Sequence, residues 1–146
     1  MGMKINLQKY LKNGSLQPHR STEREIESFK KLVTRDLTDC VIEGLSIDRS
    51  FATAYQAVLN LSRMIITASD YRVSAKTGHH ALTFEIAGLI LGERFQEYFD
   101  FFDVCRRKRN IVDYDLTDVA SMSELKELIE KVQEFRRIVY DWLEKE

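Results

Sequence analysis

Residues 46–69, SIDRSFATAYQAVLNLSRMIITAS, decide the fold of this chain. Apolar side chains recur in them at steps of three and four, which is the period of an α-helix. Further apolar residues spread around the rest of the helix, and a helix of this kind is buried among others. We therefore predict that residues 46–69 form the central helix of a bundle. Its main stripe consists of Phe51, Ala54, Tyr55, Val58, Leu61, Ser62 and Ile65.

Capping signals and apolar periodicity define the helices on either side. Thr22 with Glu25, and Ser121 with Glu124, each fit a capping box, the pattern typical of the first turn of a helix. The polar residues 70–78 are predicted to form a loop, and no segment shows the alternating pattern of a β-strand. In chain order, we predict helices over residues 4–12, 22–43, 46–69, 79–91, 93–116 and 121–143.

The composition agrees with an all-α fold. A chain of 146 residues is long enough to build one domain with a substantial core. It contains one proline and six glycines, and this scarcity favours long helices over a turn-rich β fold. We predict a single domain over residues 1–146, an antiparallel up-and-down bundle of four main helices plus short extra helices. Residues 1–20 are predicted to be an N-terminal extension that contains one of the short helices.

Charge, hydropathy and cysteine content restrict the class of function. The formal net charge is -1, so a role with nucleic acid would require a local site. No segment approaches the ~20 apolar residues of a membrane span, and the N-terminus lacks the apolar run of a secretory signal. We therefore expect a cytoplasmic protein with no membrane partner. Cys40 and Cys105 lack the spacing of a metal site, so we expect buried reduced thiols and neither a metal nor a cofactor.

The candidate site lies in residues 105–115, CRRKRNIVDYD, where four consecutive cations stand between aspartates. On a helical wheel, Arg109 falls within the apolar face of its helix. A guanidinium in that position must reach the surface along the core or pair with a carboxylate, because an unpaired buried charge costs several kcal/mol. Asp113, one turn later, lies at a spacing that can supply the carboxylate.

Further polar side chains lie beside Arg109 at helical spacing. Arg106, Asn110 and Tyr114 add a guanidinium, an amide and a phenol to the same edge of the helix. Arg107 and Lys108 are predicted to point away from the core into solvent. The pattern fits a polar site, and it also fits a salt-bridged helix edge without further function.

This segment resembles the signature of the HEPN family, which is named for its higher-eukaryote and prokaryote nucleotide-binding members. These are small all-α bundles in which a late helix carries an arginine, then usually a polar residue such as asparagine, then a histidine four to six residues further on. Arg109 and Asn110 match the first two positions, and Tyr114 stands where the histidine is expected. The opening of the central helix at Asp48 also looks like the family's, and the resemblance spans roughly residues 20–145.

The resemblance implies a fold, a chemistry and partners. Catalytic HEPN proteins are metal-independent ribonucleases: the arginine binds and polarises the scissile phosphate, the polar neighbour orients it, and the histidine assists attack by the 2′-hydroxyl. A dimer brings two such motifs into one cleft, and other relatives act through binding alone. For this chain, the resemblance implies a homodimer and a toxin–antitoxin or defence setting. A nucleotidyltransferase-like antitoxin is the partner that this setting implies.

Tyr114 decides between binding and catalysis. A phenol has an ordinary pKa of about 10, against about 6.5 for histidine, so at neutral pH it is a poor general base. We therefore expect a HEPN-like binding or interaction module, whose ligand is a phosphate-bearing molecule (RNA or a nucleotide) or a partner protein. The site residues are Arg109, Asn110 and Tyr114, with Arg106 and Asp113 beside them.

The alternative is a metal-independent endoribonuclease, a HEPN toxin in which another group replaces the usual histidine. Tyr114 is one candidate for that group. His79 or His80 is another, provided that the fold brings one of them to Arg109. A metal site on this pair is not expected, because adjacent residues on a helix do not face the same way.

Overall fold

Six α-helices build most of the chain in a computed structural model, which describes residues 2–74, 79–113 and 118–145. The predicted all-α class is confirmed. The helices are α1 (Gly2–Lys12), α2 (Glu23–Asp39), α3 (Ile47–Ala68), α4 (His79–Leu91), α5 (Gln96–Asp113) and α6 (Met122–Lys145).

The central position predicted for residues 46–69 is confirmed. The helix α3 packs against α2, α4, α5 and α6, and the residues of its predicted stripe are all buried. Aromatic side chains of the other helices complete the core, and the ring centroids of Phe102 on α5 and Phe135 on α6 lie 5.0 Å apart. The N-terminal helix α1 packs against α4 and buries Leu7 and Tyr10, so it is part of the bundle.

Both predicted capping boxes are present. The Thr22 hydroxyl accepts a hydrogen bond from the backbone N–H of Glu25 at 3.2 Å, and the Glu25 carboxylate accepts one from the backbone N–H of Thr22 at 3.1 Å. Ser121 and Glu124 exchange the same two bonds, at 3.1 and 2.9 Å. Because each box satisfies N–H groups that a helix start leaves unpaired, α2 and α6 begin where the sequence predicted.

Two short strands contradict the prediction that residues 70–78 form a loop without strand structure. The strand β1 (Leu16–Pro18) pairs antiparallel with β2 (Tyr71–Val73), and Gln17 lies opposite Arg72. The Arg72 guanidinium donates two hydrogen bonds to Gln17 Oε1, at 3.2 and 3.0 Å. Strands of three residues are too short to show an alternating pattern, so their pairing is visible only in the fold.

Two predicted helix boundaries are also wrong. The helix α2 ends at Asp39 rather than near Glu43, and the chain then turns through Gly44, whose φ is +96°. Residues 93–95 form a single turn of 3₁₀-helix, so α5 begins at Gln96. Both corrections lie at helix ends, where apolar periodicity is the weakest guide.

Candidate functional site

A cleft of about 220 Å³ lies where the first turn of α4 meets the last turns of α5. Two guanidinium groups, two imidazoles and one amide line it together. The lining residues are His79, His80 and Ala81 from α4, and Arg106, Arg109 and Asn110 from α5. The fold therefore brings the histidine pair to Arg109, which is the condition that the endoribonuclease alternative requires. The side chain of Asp113 and the whole of Tyr114 lie outside the described residues.

Arg109 is half-buried and extends over the core of the bundle. Its guanidinium carbon lies 5.7 Å from the ring centroid of Tyr55, a fully buried residue of α3. The apolar-stripe position of Arg109 explains this contact, because α5 turns that stripe towards α3. The stem of the arginine packs on the core, and the charged end is attracted to the face of the phenol ring.

Arg106 is fixed by an ion pair within α5. Its Nε donates to Asp103 Oδ1 at 2.8 Å, and its side chain is 22% exposed. This bond uses the nitrogen nearest the stem, so the outer edge of the guanidinium fork is directed away from Asp103. The carboxylate that pairs with Arg106 therefore lies one turn before it on the helix.

His80 is held beside the core in a neutral state. Its Nδ1 lies 3.3 Å from the Tyr55 hydroxyl oxygen. Burial, and then the nearby side chains of His79, Arg63, Arg109 and Arg106, lower the pKa of His80 to about 4. Burial also raises the pKa of Tyr55, so its phenol stays protonated. A neutral imidazole therefore stands in the cleft at pH 7.

His79 connects the cleft to the central helix. Its Nε2 lies 3.4 Å from Nη2 of Arg63 on α3, and its ring meets that of His80 edge to face with centroids 4.5 Å apart. Adjacent helix residues were expected to diverge, but at the first turn of α4 both rings reach the same cleft.

The structure confirms one of the two surface cations predicted beside the site and corrects the other. The side chain of Arg107 is 64% exposed, as expected. Lys108 is not solvated: its side chain is 25% exposed and its ammonium group contacts the Glu124 carboxylate and the Val119 carbonyl. The start of α6 covers this side of α5. A helical wheel of α5 alone cannot show contacts with another helix.

Sequence reasoning missed the two residues that α3 contributes, Tyr55 and Arg63. Tyr55 was predicted only as part of the apolar stripe. Arg63 is a charged residue in the largely buried helix α3, and this signal is visible in the sequence. Half-burial lowers the pKa of Arg63, and this marks it as a cation held away from water.

Within residues 2–74, 79–113 and 118–145, no three His, Cys, Asp or Glu side chains are grouped in a way that could hold a metal ion. Over the same ranges, every helix is too short or too polar to cross a membrane. Cys40 and Cys105 are buried free thiols, as predicted.

Comparison with known proteins gives no match to a family model, to a curated protein or to a solved structure. The HEPN resemblance therefore rests on the residues quoted for it and stays a prediction.

Proposed function

We propose that this chain is a HEPN-like binding module that takes a phosphate-bearing ligand, RNA or a nucleotide, in the cleft between α4 and α5. The observation that carries the proposal is that Arg106 and Arg109 line one small cavity together with Asn110 and a neutral His80. A guanidinium presents donors in a planar fork that matches phosphate oxygens. The amide of Asn110 can add a further donor.

The electrostatics of the cleft favour an anion. The formal net charge of the chain is -1, yet two arginines converge here and a third, Arg63, lies behind His79. Burial is the larger cause of the lowered pKa of His80, and the positive potential of these arginines adds to it. A bound phosphate would relieve that potential, and the low dielectric of a partly buried cleft would strengthen the attraction.

Binding of a fluorescent single-stranded RNA oligomer, followed by anisotropy, tests the proposal. Arg109→Met should weaken binding about tenfold or more, because a charge-assisted hydrogen bond is worth roughly 1.5–3 kcal/mol. Arg107→Met is the matched control: it removes the same charge from an exposed neighbour on the same helix. Equal losses in the two variants would mean that only overall charge matters, and an absence of binding by the unaltered protein would reject the proposal.

A second candidate, a metal-independent endoribonuclease, is favoured by the presence of His79 and His80 in the cleft. A neutral imidazole can accept the proton of a 2′-hydroxyl while Arg109 binds the phosphate. The low pKa of His80 makes it a weak base in the empty cleft, and a bound phosphate would raise that pKa.

Incubation of the protein with RNA in EDTA tests the nuclease. Cleavage should leave cyclic phosphate ends and should disappear in both Arg109→Met and His80→Gln. An enzyme that retains cleavage in His80→Gln but not in Arg109→Met would assign the base to another residue. If concentrated protein leaves the RNA intact, the enzyme hypothesis is excluded and the binding module remains.

The resemblance also leads us to propose a homodimer in a toxin–antitoxin or defence system, with a nucleotidyltransferase-like antitoxin as partner. One surface feature supports self-association. Val104 and Ile111 are 52% and 44% exposed, and their spacing of seven residues puts them on one face of α5. A second copy that covered this face would bury both side chains.

A further inference from the structure

A second cavity has a volume of about 230 Å³, and among the described residues it shares only His79 with the cleft. Its walls are largely apolar, formed by Phe29 of α2, Ile66 of α3 and Val73 of β2. Arg63, Arg72 and two buried threonines supply its polar atoms. The phosphate cleft is lined almost entirely by polar side chains, so the two sites suit different ligands.

Arg63 determines which ligands this cavity can bind, because it places a positive charge in the wall. Among the described residues, no carboxylate lies within ion-pair distance of its guanidinium, and its contact there is His79 Nε2 at 3.4 Å. Burial lowers the pKa of Arg63. A cation that is partly removed from water and lacks a protein carboxylate is stabilised when a ligand supplies the negative charge.

We propose that the cavity binds a small monocarboxylate with an apolar body. Arg63 lines the cavity, and a guanidinium can donate two parallel N–H bonds to a carboxylate, which has the matching planar geometry. The rest of the ligand would contact Phe29, Ile66 and Val73. Arg72 adds a second positive charge at the wall, where Gln17 holds its side chain.

The volume sets the size of this ligand. At the roughly 30 Å³ that a water molecule occupies in the liquid, a cavity of about 230 Å³ holds about eight non-hydrogen atoms. Bonded atoms lie closer together than separate water molecules, so benzoate, with about nine non-hydrogen atoms, fits this volume, whereas a nucleotide, with more than about twenty, does not. Inorganic phosphate has no apolar part to cover the three apolar walls, so it should bind here more weakly than benzoate.

Calorimetric titration of the full chain with sodium benzoate tests this site. We expect saturable binding that weakens about tenfold or more in Arg63→Met, which keeps the length of the side chain and removes its charge. Arg24→Met, at an exposed position of α2, should bind benzoate as the unaltered protein does. Benzyl alcohol, which has the ring without the charge, should also bind about tenfold more weakly.

Two further measurements keep the test decisive if Arg63→Met does not fold. Val73→Phe fills the cavity from the edge strand and should abolish benzoate binding. In NMR spectra of the unaltered protein, benzoate should shift the amide signals of Ile66, Val73 and Thr83, and Arg109→Met should leave these shifts unchanged. Shifts centred on Arg106 and Arg109, equal binding of benzyl alcohol, or no saturation at millimolar benzoate would each overturn the proposal without affecting the phosphate cleft.

Discussion

At the scale of single residues, His80 should make the stability of the protein depend on pH. Its pKa is lowered from 6.5 to about 4 by burial and by neighbouring cations, so between these values the unfolded chain binds a proton that the folded chain does not. Stability contributed by the neutral ring is therefore complete above pH 6.5 and is lost as pH falls towards 4.

Urea denaturation between pH 4 and pH 7 measures this effect. The unaltered protein should lose about 1–3 kcal/mol more than His80→Gln over that range, because each unit of pKa shift corresponds to about 1.4 kcal/mol and the ring is only half-buried. Parallel curves for the two proteins would show that His80 does not titrate in this window.

Asp36 should have the opposite dependence. It is 5% exposed, and its carboxylate accepts a hydrogen bond from Asn60 Nδ2 at 3.1 Å. Burial raises the pKa of Asp36 despite this bond and the charge of Arg35, so the ionised form is disfavoured in the folded state. The folded chain holds its proton more tightly, and stability falls as pH rises through the raised pKa.

Asp36→Asn removes the charge and retains an oxygen that can accept from Asn60. We expect it to raise the free energy of unfolding by about 1 kcal/mol at pH 7, as measured by urea denaturation. The gain should vanish below the ordinary carboxyl pKa of 3.8, where Asp36 is protonated in both states. A loss of stability at pH 7 would mean that the charged hydrogen bond outweighs the effect of burial.

The residues of the cleft show how far sequence reasoning reaches at this scale. The intrusion of Arg109 into an apolar stripe was visible on a helical wheel, because it depends on spacing within one helix. Tyr55 and His80 were not visible in the same way, since they are 25 residues apart in the chain and meet only through packing of α3 against α4. Lys108 was wrongly predicted for the same reason, since α6 covers it.

At the scale of elements, the approach to α6 is fixed by residues of two other helices. The Asp48 carboxylate, in the first turn of α3, accepts hydrogen bonds from the backbone N–H groups of Val119 at 3.3 Å and Ala120 at 2.8 Å. Lys108 of α5 donates to the Val119 carbonyl at 3.4 Å. Together they hold the two residues that precede the capping box of α6.

Asp48→Ala should therefore destabilise the protein by about 1–3 kcal/mol, because two N–H groups lose an acceptor that water can replace only in part. Thermal or urea denaturation measures the change. Asp141→Ala, at an exposed position of α6, is the matched control and should change stability by less than about 0.5 kcal/mol. Similar losses in both variants would show that the bonds from Asp48 are not specifically stabilising.

The starts of two helices were predictable from the sequence, whereas the pairing of the two strands was not. The starts of α2 and α6 are encoded locally, by side chains that bond to backbone groups three residues away, so the capping pattern found both. The pairing of β1 with β2 depends on contacts between distant parts of the chain. Residues 16–18 and 71–73 carry no local pattern that marks them as partners.

At the scale of the whole molecule, the proposed dimer predicts how one exposed face behaves. Val104 and Ile111 lie on the outer side of α5, so Val104→Asp should leave the fold of the single chain intact. If α5 forms the contact between two copies, the new charge should raise the dimer dissociation constant by about tenfold or more, because it would be buried without a partner.

Sedimentation velocity at several protein concentrations measures this constant. Val41→Asp is the matched control, since Val41 is 65% exposed in the turn after α2 and the variant makes the same change of side chain away from α5. A dimer that is unaffected by Val104→Asp would place the contact elsewhere. If the unaltered protein is a monomer at micromolar concentration, the homodimer proposal is wrong. The cleft would then bind its ligand within a single chain, because α4 and α5 of one copy supply both its histidines and its arginines.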